Sequence, residues 1–287
     1  MFNIAFFKYG GYMITTKTLN IHEKDGVVFL TFPKLDAIGG QRHAFSTRLG
    51  GISKGHCESM SFGFSLGDNE ADVVENFRRF VSAFGGDVNS VVLSQQTHTS
   101  NLRVVTKEDA GKGLFCERDY TDIDGLVTNE KGLVLVTQYA DCTPLVFYDP
   151  VAKVVATSHA GWRGTVAEIG KKTVDLMRDR FGSKPQDIIA GIGPNIAKCC
   201  YEVDDPVINE VNRLSYLDLA SCYIRKDGGK YMLDLREVNR QILINAGILP
   251  RNIDVADLCT CCNSDIFHSH RATGGKRGTL ALMIALD

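Results

Sequence analysis

The chain has 287 residues, long enough for one large domain or two small ones with a sizeable core. Lysine and arginine total 32 against 34 aspartates and glutamates, so no global basic field exists to hold nucleic acid or an anionic membrane surface, and a small partner is expected. Nine cysteines form no even framework, the apolar start Met1 to Phe7 is too short for a secretory signal, and no apolar run matches a bilayer. These features predict free thiols in a reducing cytoplasm.

The first twelve residues read as an N-terminal extension, with the main unit running from 13 to 287. Val27 to Phe32 is a predicted strand, and after Gly39-Gly40 a second runs from His43 to Arg48. Arg48 then stands at a strand end beside Gly50-Gly51, as a solvated cation or as an anion ligand. From Ala71 to Phe84, Val73, Val74, Phe77, Phe80, Val81 and Phe84 recur at helical spacing, which predicts a core helix. Val91 to His98 is the next predicted strand; it carries Gln95 and Gln96 and ends on His98.

Asp124 to Thr128 and Gly132 to Tyr139 lead into the most informative stretch, Tyr139 to Thr165. Two apolar runs, Thr143 to Tyr148 and Lys153 to Ser158, flank Asp149-Pro150-Val151-Ala152, a composition that predicts a hairpin with a four-residue loop. With Tyr148 opposite Lys153, the register places Cys142 opposite His159, roughly 4.5 to 5.5 Å apart at Cβ. A thiol beside an imidazole suits a tetrahedral metal or a thiolate-imidazolium pair, and it also suits ordinary core packing. His98 is the obvious candidate for a third ligand. Thr165-Val166-Ala167-Glu168 reads as a capping box opening a helix to Phe181, so Arg163 and free N–H groups would share an anion-favouring rim.

Asp187 to Ala190 is a predicted strand, and Pro206 to Leu214 and Asp234 to Ala246 are predicted helices. Cys199-Cys200 reads as strand, where neighbours point to opposite faces and cannot share a metal. Cys259-Thr260-Cys261-Cys262 could supply half of a thiolate zinc site, but the spacing offers no clear second pair. His268, His270, Arg271, Lys276 and Arg277 make a basic loop before a closing strand, Thr279 to Leu286. That loop suits either the anion end of a pocket or a solvated turn.

These residues together resemble one known family. S-T-R-L-G-G, Q-Q-T-H, D-G-L-V-T, A-D-C-T-P, H-A-G-W-R-G, G-I-G-P-N-I-A-K-C-C-Y-E-V and S-H-R, in that order from about His43 to Leu286, are similar to the motifs of the YfiH and laccase-domain proteins. That family is multicopper polyphenol oxidase-like and is regarded as zinc-dependent purine nucleoside phosphorylases. The resemblance implies a single α/β (mixed α+β) domain of mixed sheets layered between helices. It also implies zinc on His98, Cys142 and His159, with copper the less favoured metal. Ser61 and Ala272 depart from what many relatives carry, which bears on substrate contacts rather than on the metal.

The expected activity is phosphorolysis of adenosine, inosine, guanosine and methylthioadenosine, with adenosine deamination as a second reaction. His98, Cys142, His159 and Asp141 are the expected catalytic group, with Asp141 as a proton carrier that needs a bend to face the site. Arg48, Arg163, Gln96 and Arg271 are expected to hold substrate and phosphate. Two alternatives stand beside this reading. A Cys-His hydrolase would use Cys142 as nucleophile, His159 as base and Asp141 or Asp124 to orient it. A copper-dependent polyphenol oxidase would need more paired histidines than seven with one H-x-H provide. A homo-oligomer is compatible with all three.

Overall fold

The computed structural model describes residues 5–287. Its plan follows from strands that are apolar on both sides. In the closing strand Leu280–Leu286, Leu280, Leu282, Ile284 and Leu286 enter one core while Ala281, Met283 and Ala285 enter another. The hairpin strand Thr143–Asp149 divides likewise, Val146 and Tyr148 to one side and Leu145 and Phe147 to the other. With a side-chain period of two, such strands must be covered on both faces.

Two six-stranded mixed sheets therefore pack face to face. One is ordered Ile253–Val255, Ile189–Ile192, Thr143–Asp149, Val154–Ala160, Gly125–Thr128, Leu102–Val104. The other is ordered Asn20–Lys24, Val27–Thr31, Gln41–Ser46, Leu280–Leu286, Val134–Tyr139, Val91–Leu93. The shared inner core holds Leu30, Phe45, Leu135, Val146, Tyr148 and Leu282. The helix Glu70–Phe84, capped by the Asn69 side chain, seals one outer face with Val73, Phe77 and Phe80. Ile169–Phe181 and Leu235–Asn245 seal the other with Ile169, Met177 and Leu243. The layers run helix, sheet, sheet, helix, the arrangement that the resemblance implied.

A three-stranded sheet, Glu202–Asp204, Lys230–Leu233 and Tyr223–Lys226, and the helix Asp205–Asn212 build a side lobe with its own core. Residues 5–16 form a hairpin, Ala5–Tyr9 with Tyr12–Thr16, whose Tyr9 hydroxyl donates to the Gly26 carbonyl. Among the described residues no helix is long and apolar enough to cross a membrane.

Three local expectations need correction. The hairpin pairs Tyr148 with Val155 and Pro144 with His159, not Tyr148 with Lys153 and Cys142 with His159. Asp149 belongs to the strand and accepts from the N–H groups of Val151 and Ala152 at 2.8 and 3.0 Å, while Lys153 takes a left-handed φ of 55° to close the turn. The slide is by two residues, so every side chain keeps its face.

The capping box does not form. The helix Trp162–Val166 starts earlier, at Gly161; Thr165 lies inside it and donates to the Ala160 carbonyl. Glu168, at a left-handed φ of 57°, separates this helix from Ile169–Phe181 and accepts from the Tyr216 hydroxyl. The strand predicted to reach His98 ends at Leu93.

Candidate metal centre

The site is organised around a carboxylate that is fully buried, Asp124. Its Oδ1 accepts from His98 N–H at 3.1 Å and from His159 Nδ1 at 2.8 Å. The other oxygen accepts from the N–H groups of Thr97 and Thr99 at 3.1 and 2.8 Å and from the Thr99 hydroxyl at 2.8 Å. An ionised carboxylate only accepts, so His159 carries a proton on Nδ1 and leaves Nε2 as the nitrogen for a metal. The same anion wraps residues 97 to 99 around itself, holding His98 at a left-handed φ of 66°. Strain of this kind persists only where surrounding contacts over-determine it.

Cys142 reaches the two imidazoles from just past the end of the hairpin ladder, whose last pair is Thr143 with Ala160. Asp141 supplies the bend, at φ 87°. Cys142 Sγ lies 3.8 Å from His98 Nε2, and the His98, Cys142 and His159 donor atoms all fall within 4.8 Å of one another. A tetrahedral ion with bonds of about 2.0 to 2.3 Å separates its donors by about 3.5 Å, so the trio fits a metal with small adjustments. Gly161 leaves the room: an added Cβ would stand 2.9 Å from His98 Cδ2 and 3.1 Å from Cys142 Sγ.

The charges are matched to that chemistry. Burial pushes the Cys142 thiol up, but His159 and His98 outweigh it and bring the group down to about 6. Burial lowers His159, yet Cys142 and Asp124 raise it to about 9. Desolvation also works to raise Asp124, and the His159 bond overrides it, so the carboxyl stays below its usual range. A metal would keep the thiolate and displace the extra imidazolium proton, since its ligands must be thiolate and neutral imidazole.

Two cavities meet at His98 and Cys142, and His159 lines the larger of them. One, of about 390 Å³, is lined by Phe64, Gln96, Gln138 and Arg118 among others. The second, of about 280 Å³, is lined by Ile196, Tyr201, His270 and Arg271. Both share His98, Cys142 and Arg277. Each is of the size used for small ligands or parts of them.

Of the residues expected to bind substrate, Gln96 and Arg271 line these cavities. Gln96 is pinned by its amide to both backbone groups of Gln138, at 2.7 Å each. Arg271 stacks on Tyr201 and donates to the Cys200 and Glu202 carbonyls. Arg163 is exposed, lies over the Trp162 ring and lines neither cavity. Arg48 lines neither and donates instead to the Ser264 and Glu58 carbonyls. Both oxygens of Asp141 are occupied, one by the Thr260 hydroxyl at 2.6 Å and one by Arg271 N–H at 2.7 Å.

Arg277 was not singled out from the sequence beyond its basic loop. Its Nη1 donates to the Gly278 carbonyl and the Thr279 hydroxyl, while its buried Nε has no partner among the described residues. His268, which burial lowers to about 3, is neutral: it accepts from Gly278 N–H at Nδ1 and donates from Nε2 to Met60 O, so it shapes the Arg277 turn. A basic residue next to glycine was the available signal, but nothing local separates Arg277 from Lys276.

The family model described as multi-copper polyphenol oxidoreductase laccase matches residues 42–287. Purine nucleoside phosphorylase YlmD of Bacillus subtilis is 41% identical over 247 residues, 84% of this chain and 87% of the relative. Adenosine deaminase RL5, of an unknown prokaryotic organism, is 33% identical over 238 residues, 82% and 90% of the two chains. The crystal structure of the Bacillus licheniformis hypothetical protein YfiH superposes with a TM-score of 0.88 at 35% identity, covering 93% of this chain and 99% of that one. This chain belongs to the laccase-like family whose relatives include the YlmD purine nucleoside phosphorylase.

Proposed function

We propose that this protein is a zinc-dependent purine nucleoside phosphorylase acting in a reducing cytoplasm, with adenosine deamination as a second activity. The observation that carries the reading is the meeting of a nucleoside-sized cavity and an arginine-bearing one at His98 and Cys142, two of three donors suited to a metal. His98, Cys142 and His159 would hold the ion, which supplies a Lewis acid with one open position. Zinc suits the set better than copper: copper sites of this His-His-Cys type take a weak axial methionine, and none lines either cavity among the described residues.

The nucleoside occupies the larger cavity, where Phe64 offers a ring face to the base and Gln96, pinned to the Gln138 backbone, shapes the wall. Phosphate occupies the smaller one, between Arg277, Arg271 and His270. In phosphorolysis a phosphate oxygen bonds to the anomeric carbon as the bond to the purine breaks, and the leaving base takes up a proton. Positive charge develops on the ribose, and the bound phosphate answers it. Asp141 anchors the walls that present Arg271, and Asp124 orients His159. Deamination needs water in place of phosphate, so it depends on the trio but not on the arginines. The catalytic unit spans 13 to 287, a boundary that falls inside the second strand of the N-terminal hairpin, Tyr12–Thr16.

A second reading has its own observation: the Cys142 and His159 pair, backed by Asp124, is also the arrangement of a thiol hydrolase. One experiment separates the readings. Metal-replete protein is given adenosine and inosine with and without phosphate, and the products are identified. Free base plus ribose 1-phosphate, dependent on phosphate and lost in His98→Ala, supports phosphorolysis. Full activity in metal-free protein or in His98→Ala rejects it in favour of the thiol.

A further inference from the structure

Cys199 and Cys200 lie in a turn, not the strand that the sequence suggested, and the pair missing from the C-terminal thiols is this one. The sulfurs of Cys199, Cys200, Cys259 and Cys262 all fall within 4.8 Å of one another. Cys262 Sγ is 3.4 Å from Cys199 Sγ and 3.3 Å from Cys200 Sγ, and all four are free thiols. A tetrahedral ion with bonds to sulfur of about 2.3 Å spaces its ligands about 3.8 Å apart, so these sulfurs already surround a site of the right size.

We propose that these four cysteines form a second, purely structural zinc site, independent of the centre described above and of its chemistry. Three features support a closed thiolate site. The backbone of Ala197 donates to Cys259 Sγ at 3.3 Å, a bond that favours the thiolate over the thiol. The two ligand segments run side by side, Asn195 bridging to Cys259 and Thr260 N–H donating to the Asn195 carbonyl at 3.0 Å, so the geometry does not depend on flexible side chains alone. Cys259 and Cys262 have the C-x-x-C spacing of metal knuckles, and Asn263 N–H returns to the Cys259 carbonyl to close that turn. Four sulfurs leave no open position, so the ion there binds no substrate.

The site also has a task. Its first loop presents Ile196 and Tyr201 to the smaller cavity. Its second loop carries Thr260, whose hydroxyl holds Asp141, one residue from Cys142. The Cys200 carbonyl receives Arg271. Zinc on the four thiols therefore staples the cavity wall that positions Arg271 and the Asp141 bend, while touching none of the reacting atoms.

Zinc content of purified, full-length protein tests this. Wild type is expected to hold two zinc ions per chain, Cys142→Ala one, and the double variant Cys259→Ser, Cys262→Ser one. Cobalt loaded into Cys142→Ala should give the intense near-ultraviolet thiolate absorption and the visible bands of a tetrahedral four-sulfur site. If the double variant does not fold, Cys142→Ala decides alone. Absence of zinc from soluble, folded Cys142→Ala with all remaining thiols open to a thiol reagent would overturn the proposal. A Cys262 disulfide to Cys199 or Cys200 in that variant, with no metal, would overturn it too. Loss of nucleoside turnover bears on the proposed function only, because the ion count of Cys142→Ala is read without substrate.

Discussion

Replacing Asp124 by asparagine keeps the shape of the side chain and removes its charge, and the structure fixes what must follow. Asp124 accepts five hydrogen bonds, two on Oδ1 and three on Oδ2. Asparagine can accept on one side only. If its oxygen replaces Oδ1, the N–H groups of Thr97 and Thr99 are stranded, at about 1 to 3 kcal/mol each. If it replaces Oδ2, only His98 N–H is stranded, again about 1 to 3 kcal/mol, but His159 must then accept at Nδ1 and move its proton to Nε2. The second orientation costs less, and it turns a donor toward the metal. Asp124→Asn should therefore lose about 1 to 3 kcal/mol of stability and bind zinc about 10- to 100-fold more weakly. Competition against a chromogenic chelator measures the affinity, and denaturant unfolding of chelator-treated protein measures the stability. Zinc affinity within twofold of wild type would refute the tautomer argument even if stability fell.

Gly161→Ala tests space without strain, since φ is −61° there and alanine accepts it; crowding of His98 and Cys142 should lower zinc content on the order of tenfold with the fold intact by circular dichroism. In chelator-treated protein, alkylation of Cys142 should fall off as pH drops through about 6 rather than near the ordinary thiol range. The signs for stability follow: the depressed Cys142 contributes above its unfolded pKa and is lost as pH falls through about 6, while the raised His159 contributes below its unfolded pKa and is lost as pH rises through about 9. The two trends oppose each other between those limits, so the equilibrium stability of metal-free protein should change little across them, and a steep one-sided profile in denaturant unfolding would contradict the pairing. Arg277→Met should reduce phosphate-dependent turnover about 10- to 100-fold through loss of a charged hydrogen bond, and deamination much less. Arg48→Ala should lower stability but leave the phosphate KM unchanged, because its guanidinium serves the Ser264 and Glu58 carbonyls.

Local pattern alone determined a good part of this protein. The strands, the helix Glu70–Phe84 and the hairpin were legible because apolar periodicity and turn residues act over a few positions. His98, Cys142 and His159 were legible as a set partly by luck of parity: the predicted register was off by two, and a slip of two leaves every side chain on its face. An error of one would have turned Cys142 away.

Other features belong to tertiary structure because their partners are far apart in the chain. Asp124 gathers groups from residues 97 to 99 and 159, and no local pattern shows a buried carboxylate surrounded by donors. Thr165 and Glu168 satisfied the capping rule in sequence, yet packing of Trp162–Val166 against the hairpin end and the Tyr216 bond to Glu168 started the helix four residues earlier. Arg48 and Arg277 are both basic residues near glycines; only the folded chain ties the Arg48 guanidinium to the Ser264 and Glu58 carbonyls and sets Arg277, its Nε without a partner among the described residues, at the wall of two cavities. Cys199 and Cys200 meet Cys259 and Cys262 across some sixty residues because the strands Ile189–Ile192 and Ile253–Val255 run parallel and deliver the following loops to the same sheet end. Spacing along the chain cannot register that meeting, since parallel neighbours are set by the sheet and not by the turn between them.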